Sequence, residues 1–199
     1  MRADIGLFEA MNTQRAIRYL KPDPVPDDLI AQLMEAAIRA PSGTNQQQWS
    51  FLVIKDPELR RQLGDIYQKA GRAAIPRIQY VEAENKKLFN SAVYLVDHLG
   101  EAPVLILACI SHGGSTGLTT GASIYPAVQN ILLAARALEL GSVLTTFHKA
   151  YEAEVKEILG IPENVETAAL LPVGFLADGV HYGPTNRRSV DQVVHWDRW

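Results

Sequence analysis

The chain has 199 residues, 47% of them hydrophobic and 21% charged, which suits one globular domain and excludes widespread disorder. Its 19 Lys and Arg against 22 Asp and Glu leave a formal net charge of −3, without the basic excess of a general nucleic-acid or anionic-membrane binder. The single cysteine, Cys109, cannot form an intramolecular disulfide, and its apolar surroundings predict a buried thiol.

In chain order, Asp4 is placed to cap a short helix carrying Leu7, Phe8 and Met11. Three prolines at alternate positions force 20–26 into an extended connector. Asp27 and Asp28 open a second helix, where negative charge suits the dipole, and Leu29, Ile30, Leu33, Ala36 and Ala37 follow at helical spacing until Pro41. Residues 42–48 read as a polar loop and 49–54 as a strand. Asp56-Pro57 is an N-cap with proline at the first helical position, predicting a helix to about Ala70. Residues 71–101 are polar, with weak helical periodicity, and read as an inserted helical excursion. A buried strand over 103–110 precedes a loop over 112–117. A long apolar helix is expected over 122–140 with Gly141 as its stop, then a strand over 142–147, a short helix over 152–159 and a last strand over 167–176. A polar tail covers 178–199. Helices dominate the first half of this alternating series, so the fold class is α+β around a central sheet. The longest apolar run, 102–110, is far too short to span a membrane, and a soluble cytoplasmic protein is expected.

Three constellations could carry chemistry. The five histidines are never closer than 14 residues, and with one cysteine they predict no metal site. Gly113-Gly-Ser115-Thr-Gly117 fits the G-x-S-x-G pattern, with Asp178, Asp191 and His195 downstream in the order a serine hydrolase requires. Ser111 and His112 before it and Gly121 after it disturb the tight strand-to-helix turn, so a flexible surface loop is the plainer reading. The third constellation is dispersed. Arg15 and Arg18 can grip one phosphate with fork geometry, or can simply be exposed near a helix end. The stretch 40–49 concentrates amides and hydroxyls that suit the polar edge of a flat heterocycle, or a polar turn. Arg187-Arg188 in the tail is a further phosphate contact, or a solvated pair.

Taken together, Arg15-Ala-Ile-Arg18, the proline run from Lys21 to Pro26, the Pro41-Ser-Gly-Thr-Asn-x-Gln-x-Trp49 loop, Gly141-Ser-Val and Arg187-Arg-Ser-Val190 resemble the nitroreductase family of FMN-dependent oxidoreductases, in order and from about residue 10 to the end. The resemblance implies a single FMN-binding domain over 1–199. Its fold would be a sandwich of helices about a mainly antiparallel sheet, built as an intertwined homodimer with FMN at the subunit interface. It implies phosphate contacts from Arg15, Ala16 and Arg18, and from Arg187 with Arg188 as the lesser choice. It implies that Pro41, Ser42, Gly43, Asn45 and Gln47 reach the flavin from the partner subunit, and that Leu144, Thr145 and Thr146 line the ring. Hydride would pass from NADH or NADPH through flavin N5 to an electron-poor acceptor, a nitroaromatic or quinone, in a ping-pong cycle that needs no catalytic side chain. The excursion at 71–101 would cap the flavin and set acceptor choice. Gln14 and Ala16 stand where relatives often carry arginine and serine, which leaves the phosphate site one charge and one hydroxyl short. A serine hydrolase using Ser115 and a non-catalytic flavin carrier are the competing classes.

Overall fold

The structure is a computed structural model that describes residues 5–77, 86–111 and 117–199. Four apolar segments pair into one antiparallel sheet in the order β1–β2–β4–β3, with β1 over Trp49–Ile54, β2 over Val104–Ser111, β3 over Leu140–Ser142 and β4 over Val165–Phe175. The two central strands read as unbroken apolar runs because both of their faces are covered. Val104, Ile106, Ala108 and Ile110 of β2 face one layer, formed by α2 (Asp27–Ala37) and α5 (Leu118–Ala137). Leu105, Leu107 and Cys109 alternate to the other, where α3 (Pro57–Ala74), α4 (Lys86–His98) and α6 (Glu152–Leu159) pack. Helix α1 (Leu7–Thr13) lies against α5.

Local signals place most boundaries. Asp56 caps α3, its Oδ1 accepting from the backbone N–H groups of Glu58 and Leu59 at 2.9 Å. Gly160 ends α6 in the left-handed conformation, with φ 65°. Helix α1 forms as expected, with Leu7, Phe8 and Met11 exposed and Ala10 buried. Two expectations need correction. Helix α5 starts earlier than expected and ends at Ala137, with Glu139 taking the left-handed position at φ 61°. Gly141 is therefore not a helix stop but the middle of β3, and the strand expected over 142–147 is shorter and begins earlier. The expected excursion at 71–101 falls partly on 78–85, outside the described residues. Among the described residues no helix is long and apolar enough to cross a membrane.

A short turn over Phe147–Tyr151 buries His148 completely, with neither ring nitrogen hydrogen-bonded among the described residues. Beside it, Lys149 Nζ holds Glu152, Glu166 and the carbonyl of Thr167 at 2.8–3.0 Å, and clamps the turn and α6 to β4. Burial, with the charge of Lys149 adding to it, depresses the His148 pKa to about 4 from an ordinary 6.5. The unfolded chain thus takes up this proton first as pH falls. Stability from a neutral His148 is complete above pH 6.5 and is lost progressively as pH falls toward 4, by up to about 3 kcal/mol. Urea denaturation at pH 7 and pH 5 should show this loss in the parent chain and a flatter profile in His148→Leu; equal slopes would contradict the assignment.

Candidate functional site

Residues 14–20 leave α1 in an extended conformation and run along the β3 edge of the sheet. The Ile17 N–H donates to the Ser142 carbonyl at 3.0 Å, the Lys21 N–H to Phe175 at 2.8 Å, and the Ala177 N–H to Tyr19 at 3.1 Å. Gly141 permits this approach, because a Cβ there would lie 2.6 Å from Ile17 Cγ2 and 2.7 Å from Leu20 Cδ2. Arg15 is exposed and Ala16 half-buried. Arg18 turns to the helical layer, where its Nη1 donates to Ser91 Oγ of α4 at 3.0 Å. Burial lowers the Arg18 pKa against the opposing influence of Tyr67 and Tyr19, and the charge of Arg15 lowers it further. On an extended backbone, residues three apart point to opposite sides, which accounts for the different surroundings of the two arginines.

The tail returns to the same edge. The Gly183 N–H donates to the Thr13 carbonyl at 3.4 Å. Arg136, in the last turn of α5, pins this crossing: its Nε donates to Thr13 Oγ1 at 2.8 Å, and its guanidinium lies 4.2 Å from the centre of the Tyr182 ring. Arg187 follows Gly183 by four residues, at most about 14 Å of chain. Arg187 and Arg188 are both exposed. Among the described residues Arg15, Arg187 and Arg188 have no carboxylate partner. Ser142 Oγ and Tyr182 Oη, buried hydroxyls with no hydrogen-bond partner among the described residues, belong to the strand and the tail that meet here.

Beyond β3 the backbone alternates. Val143 and Thr145 are buried, whereas Leu144 and Thr146 are exposed. Thr145 spends its hydroxyl on the Leu170 carbonyl at 2.7 Å and so anchors this ribbon to β4. Leu144 and Thr146 remain free to form a surface.

The 41–48 loop lies elsewhere. It leads directly into β1, the opposite edge strand, and the three strand spacings between the two edges amount to roughly 15 Å. Pro41, Gly43, Asn45 and Gln47 are exposed, and Ser42 is half-buried. Ser42 Oγ accepts from the Gln47 N–H at 3.0 Å, and the Gly43 N–H donates to Ser123 Oγ of α5 at 3.1 Å. Thr44, Asn45 and Gln47 all adopt positive φ, at 51°, 56° and 51°. Three non-glycine residues in that region within one loop store strain, which concentrates at binding sites. A single chain thus brings Arg15, the 144–146 ribbon and the tail to one edge, and the 41–48 loop to the other.

Other candidates fall away or lie out of view. Burial pushes the Cys109 thiol up to about 12, so it is not a nucleophile near neutral pH. Ser115 and its G-x-S-x-G motif fall on 112–116, outside the described residues except for Gly117. Among the described residues no group of three or more His, Cys, Asp or Glu could hold a metal ion. Sequence reasoning missed Arg136, Ser91 and Ser123. An arginine in a last helical turn suits the helix dipole anywhere, and its contact with Thr13 spans 123 positions that no spacing rule connects.

The sequence model of the Nitroreductase family matches residues 12–175. The chain belongs to the nitroreductase family. Among nitroreductase relatives, it is 29% identical to NADH dehydrogenase of Thermus thermophilus, with 98% of this chain and 100% of that protein covered. It is 27% identical to iodotyrosine deiodinase 1 of Rattus norvegicus, covering 94% of this chain and 68% of the relative. The fold matches the crystal structure of oxidised iodotyrosine deiodinase bound to FMN and 3-iodo-L-tyrosine, with a TM-score of 0.80, 24% identity, and 98% and 100% of the two chains covered.

Replacing Arg136 with alanine should cost about 2 kcal/mol, the worth of one charge-assisted hydrogen bond. It should also raise amide exchange around Gly183. Unchanged exchange there would mean that the tail crossing does not depend on this side chain.

Proposed function

We propose that this chain is an FMN-dependent oxidoreductase that takes reducing equivalents from NADH or NADPH and passes them to an electron-poor aromatic acceptor, a nitroaromatic or quinone. The observation that carries this reading is the gathering of unpaired arginine-bearing segments at one sheet edge. Arg15 and the tail carrying Arg187 and Arg188 leave the same Thr13–Gly183 crossing, and none of these cations has a carboxylate partner among the described residues. Such a set suits a phosphate dianion: permanent charge, fork geometry and no acid to displace. Family membership and the names of the relatives support the cofactor and the electron donor.

Bound FMN supplies a two-electron carrier that the chain's own side chains lack. The protein's part is then to bind, orient and exclude water. Arg15 holds the phosphate, with the backbone of Ala16 beside it and Arg187 or Arg188 closing from the tail. Leu144 and Thr146 offer an apolar and a hydroxyl contact to the ring face, and Thr145 fixes the ribbon that presents them. Pro41, Ser42, Gly43, Asn45 and Gln47 supply amides and carbonyls to the polar edge of the ring, held in shape by the Ser42 and Ser123 hydrogen bonds.

These two sets sit on opposite sheet edges, an arrangement that suits a flavin held between two chains. We therefore propose a homodimer with FMN at the interface. The surface supports it: Phe8 of α1 is 78% exposed, Leu118 of α5 95% and Trp196 of the tail 86%, a distribution of large apolar groups that a lone chain leaves in water. From 184 onward the described tail makes only local backbone hydrogen bonds, as an arm reaching over a second copy would.

The test is direct. The purified protein should be yellow and dimeric, and should bleach under NADH or NADPH without air, then recover colour on adding a quinone or nitrobenzene derivative. A colourless protein that takes up no FMN would overturn the reading, and a yellow one that does not bleach would make it a carrier. 3-Iodo-L-tyrosine as acceptor tests a deiodinating role in the same assay.

Arg15→Ala should weaken FMN binding by about one to two orders of magnitude, from the loss of one charge-assisted contact worth roughly 1.5–3 kcal/mol. Flavin fluorescence titration measures it. Truncation after Pro184 should give a monomer by sedimentation, and a truncated chain that stays dimeric would remove the tail from the interface.

A further inference from the structure

Tyr67 is a buried phenol that the proposed chemistry leaves without a task. It lies on the inner face of α3 with Leu63, Ile66 and Ala70, and is 3% exposed. A phenol suits such an apolar face only where its hydroxyl finds a partner. Here the partner is the side chain of Thr145, the middle residue of the 144–146 ribbon. Thr145 commits its own proton to the Leu170 carbonyl at 2.7 Å, so its oxygen is left to accept and Tyr67 Oη donates. Burial pushes the phenol up to about 12, against the Thr145 hydrogen bond and the Arg18 charge, and so keeps that donor protonated at neutral pH. The ring of the same side chain lies 5.4 Å from that of Phe147, tilted by 45°. Hydroxyl and ring thus hold residues 145 and 147 from the α3 side, and leave Leu144 and Thr146 exposed.

We propose that Tyr67 is a positioning residue for the flavin ring: its hydroxyl, acting through Thr145, fixes the height at which Leu144 and Thr146 meet the ring face. The proposal rests on the FMN reading above for the identity of the ring, but not for the tie between α3 and the ribbon. Thr145 exchanges two backbone hydrogen bonds with Leu170, at 3.1 and 3.0 Å, so β4 holds the ribbon on one side. Tyr67 supplies the hold on the other. A ribbon held from two sides has less freedom to lose when it meets a flat ligand, and such pre-organisation raises affinity without any contact between Tyr67 and the ligand.

A double-mutant cycle separates this route from any other. Tyr67→Phe removes the hydroxyl and keeps the ring. Thr145→Val removes its acceptor, while the Leu170 carbonyl still holds the backbone N–H of position 145. Dissociation constants for FMN and riboflavin are measured by fluorescence quenching on the parent chain, on Tyr67→Phe, Thr145→Val and Thr145→Ser, and on the Tyr67→Phe/Thr145→Val pair. Amide exchange at position 145 is followed under native conditions in the flavin-free chains. Tyr67→Phe should weaken both flavins by one common factor, about three- to tenfold, and leave the preference for FMN over riboflavin in place. Exchange at 145 should rise by a similar factor. Thr145→Ser, which keeps the hydroxyl, should bind as the parent does. In the Thr145→Val background, Tyr67→Phe should cost nothing more. A further loss there would mean that Tyr67 acts on the ring directly or through Arg18, and would overturn the proposal. So would a Tyr67→Phe chain whose urea midpoint falls while its flavin affinities and its exchange at 145 stay at parent values, since Tyr67 would then only fill the core. A Thr145→Ser chain that loses as much as Thr145→Val would also overturn it. Should the parent chain bind neither flavin, the cofactor reading fails by itself. Exchange at 145 then decides the tie alone: Tyr67→Phe must raise it in the parent and must not raise it further in Thr145→Val.

Discussion

The site depends on a close contact between backbones. The extended segment after α1 lies against β3 and the end of β4 through three interstrand hydrogen bonds, and it can lie there only because Gly141 has no side chain to hold it off. This contact sets the start of Arg15, the aim of Arg18 and the course of the returning tail. Without it residues 14–20 would lose their backbone ties to the sheet. The energy that holds the seam is modest at each bond, but Ile17 and Leu20 pack into the space that the glycine leaves, and burial adds to hydrogen bonding.

The sheet and most helices were legible in the sequence because their signals are local. β1 and α6 match their expected bounds, and α2 follows its periodicity, since β-branched runs, caps and prolines act within a few residues. The errors have a common cause. Glycine commonly ends helices, so Gly141 signals a helix stop, but its reason for being glycine is Ile17, more than 120 positions away. Leu7, Phe8 and Met11 look like a buried face, yet they are exposed here. Apolar pattern alone does not say whether a face meets the same chain or another.

The candidate site was legible as a list of residues but not as an arrangement. Arginines, amides and hydroxyls stand out in sequence because they are the groups that bind anions and heterocycles. Their distribution over two opposite sheet edges follows only from strand order. Arg15 and Arg18 illustrate this. In sequence they are twins; in the fold, extended backbone turns the pair apart, and Arg18 donates to Ser91 of α4.

The 41–48 loop carries a further consequence. Thr44, Asn45 and Gln47 sit where glycine would be at ease, so a glycine at any of them would relax the folded backbone. Breeding this chain for heat resistance would therefore tend to accept such replacements, and each would discard a hydroxyl or an amide. Ruggedness and a full set of polar side chains pull in opposite directions at this loop.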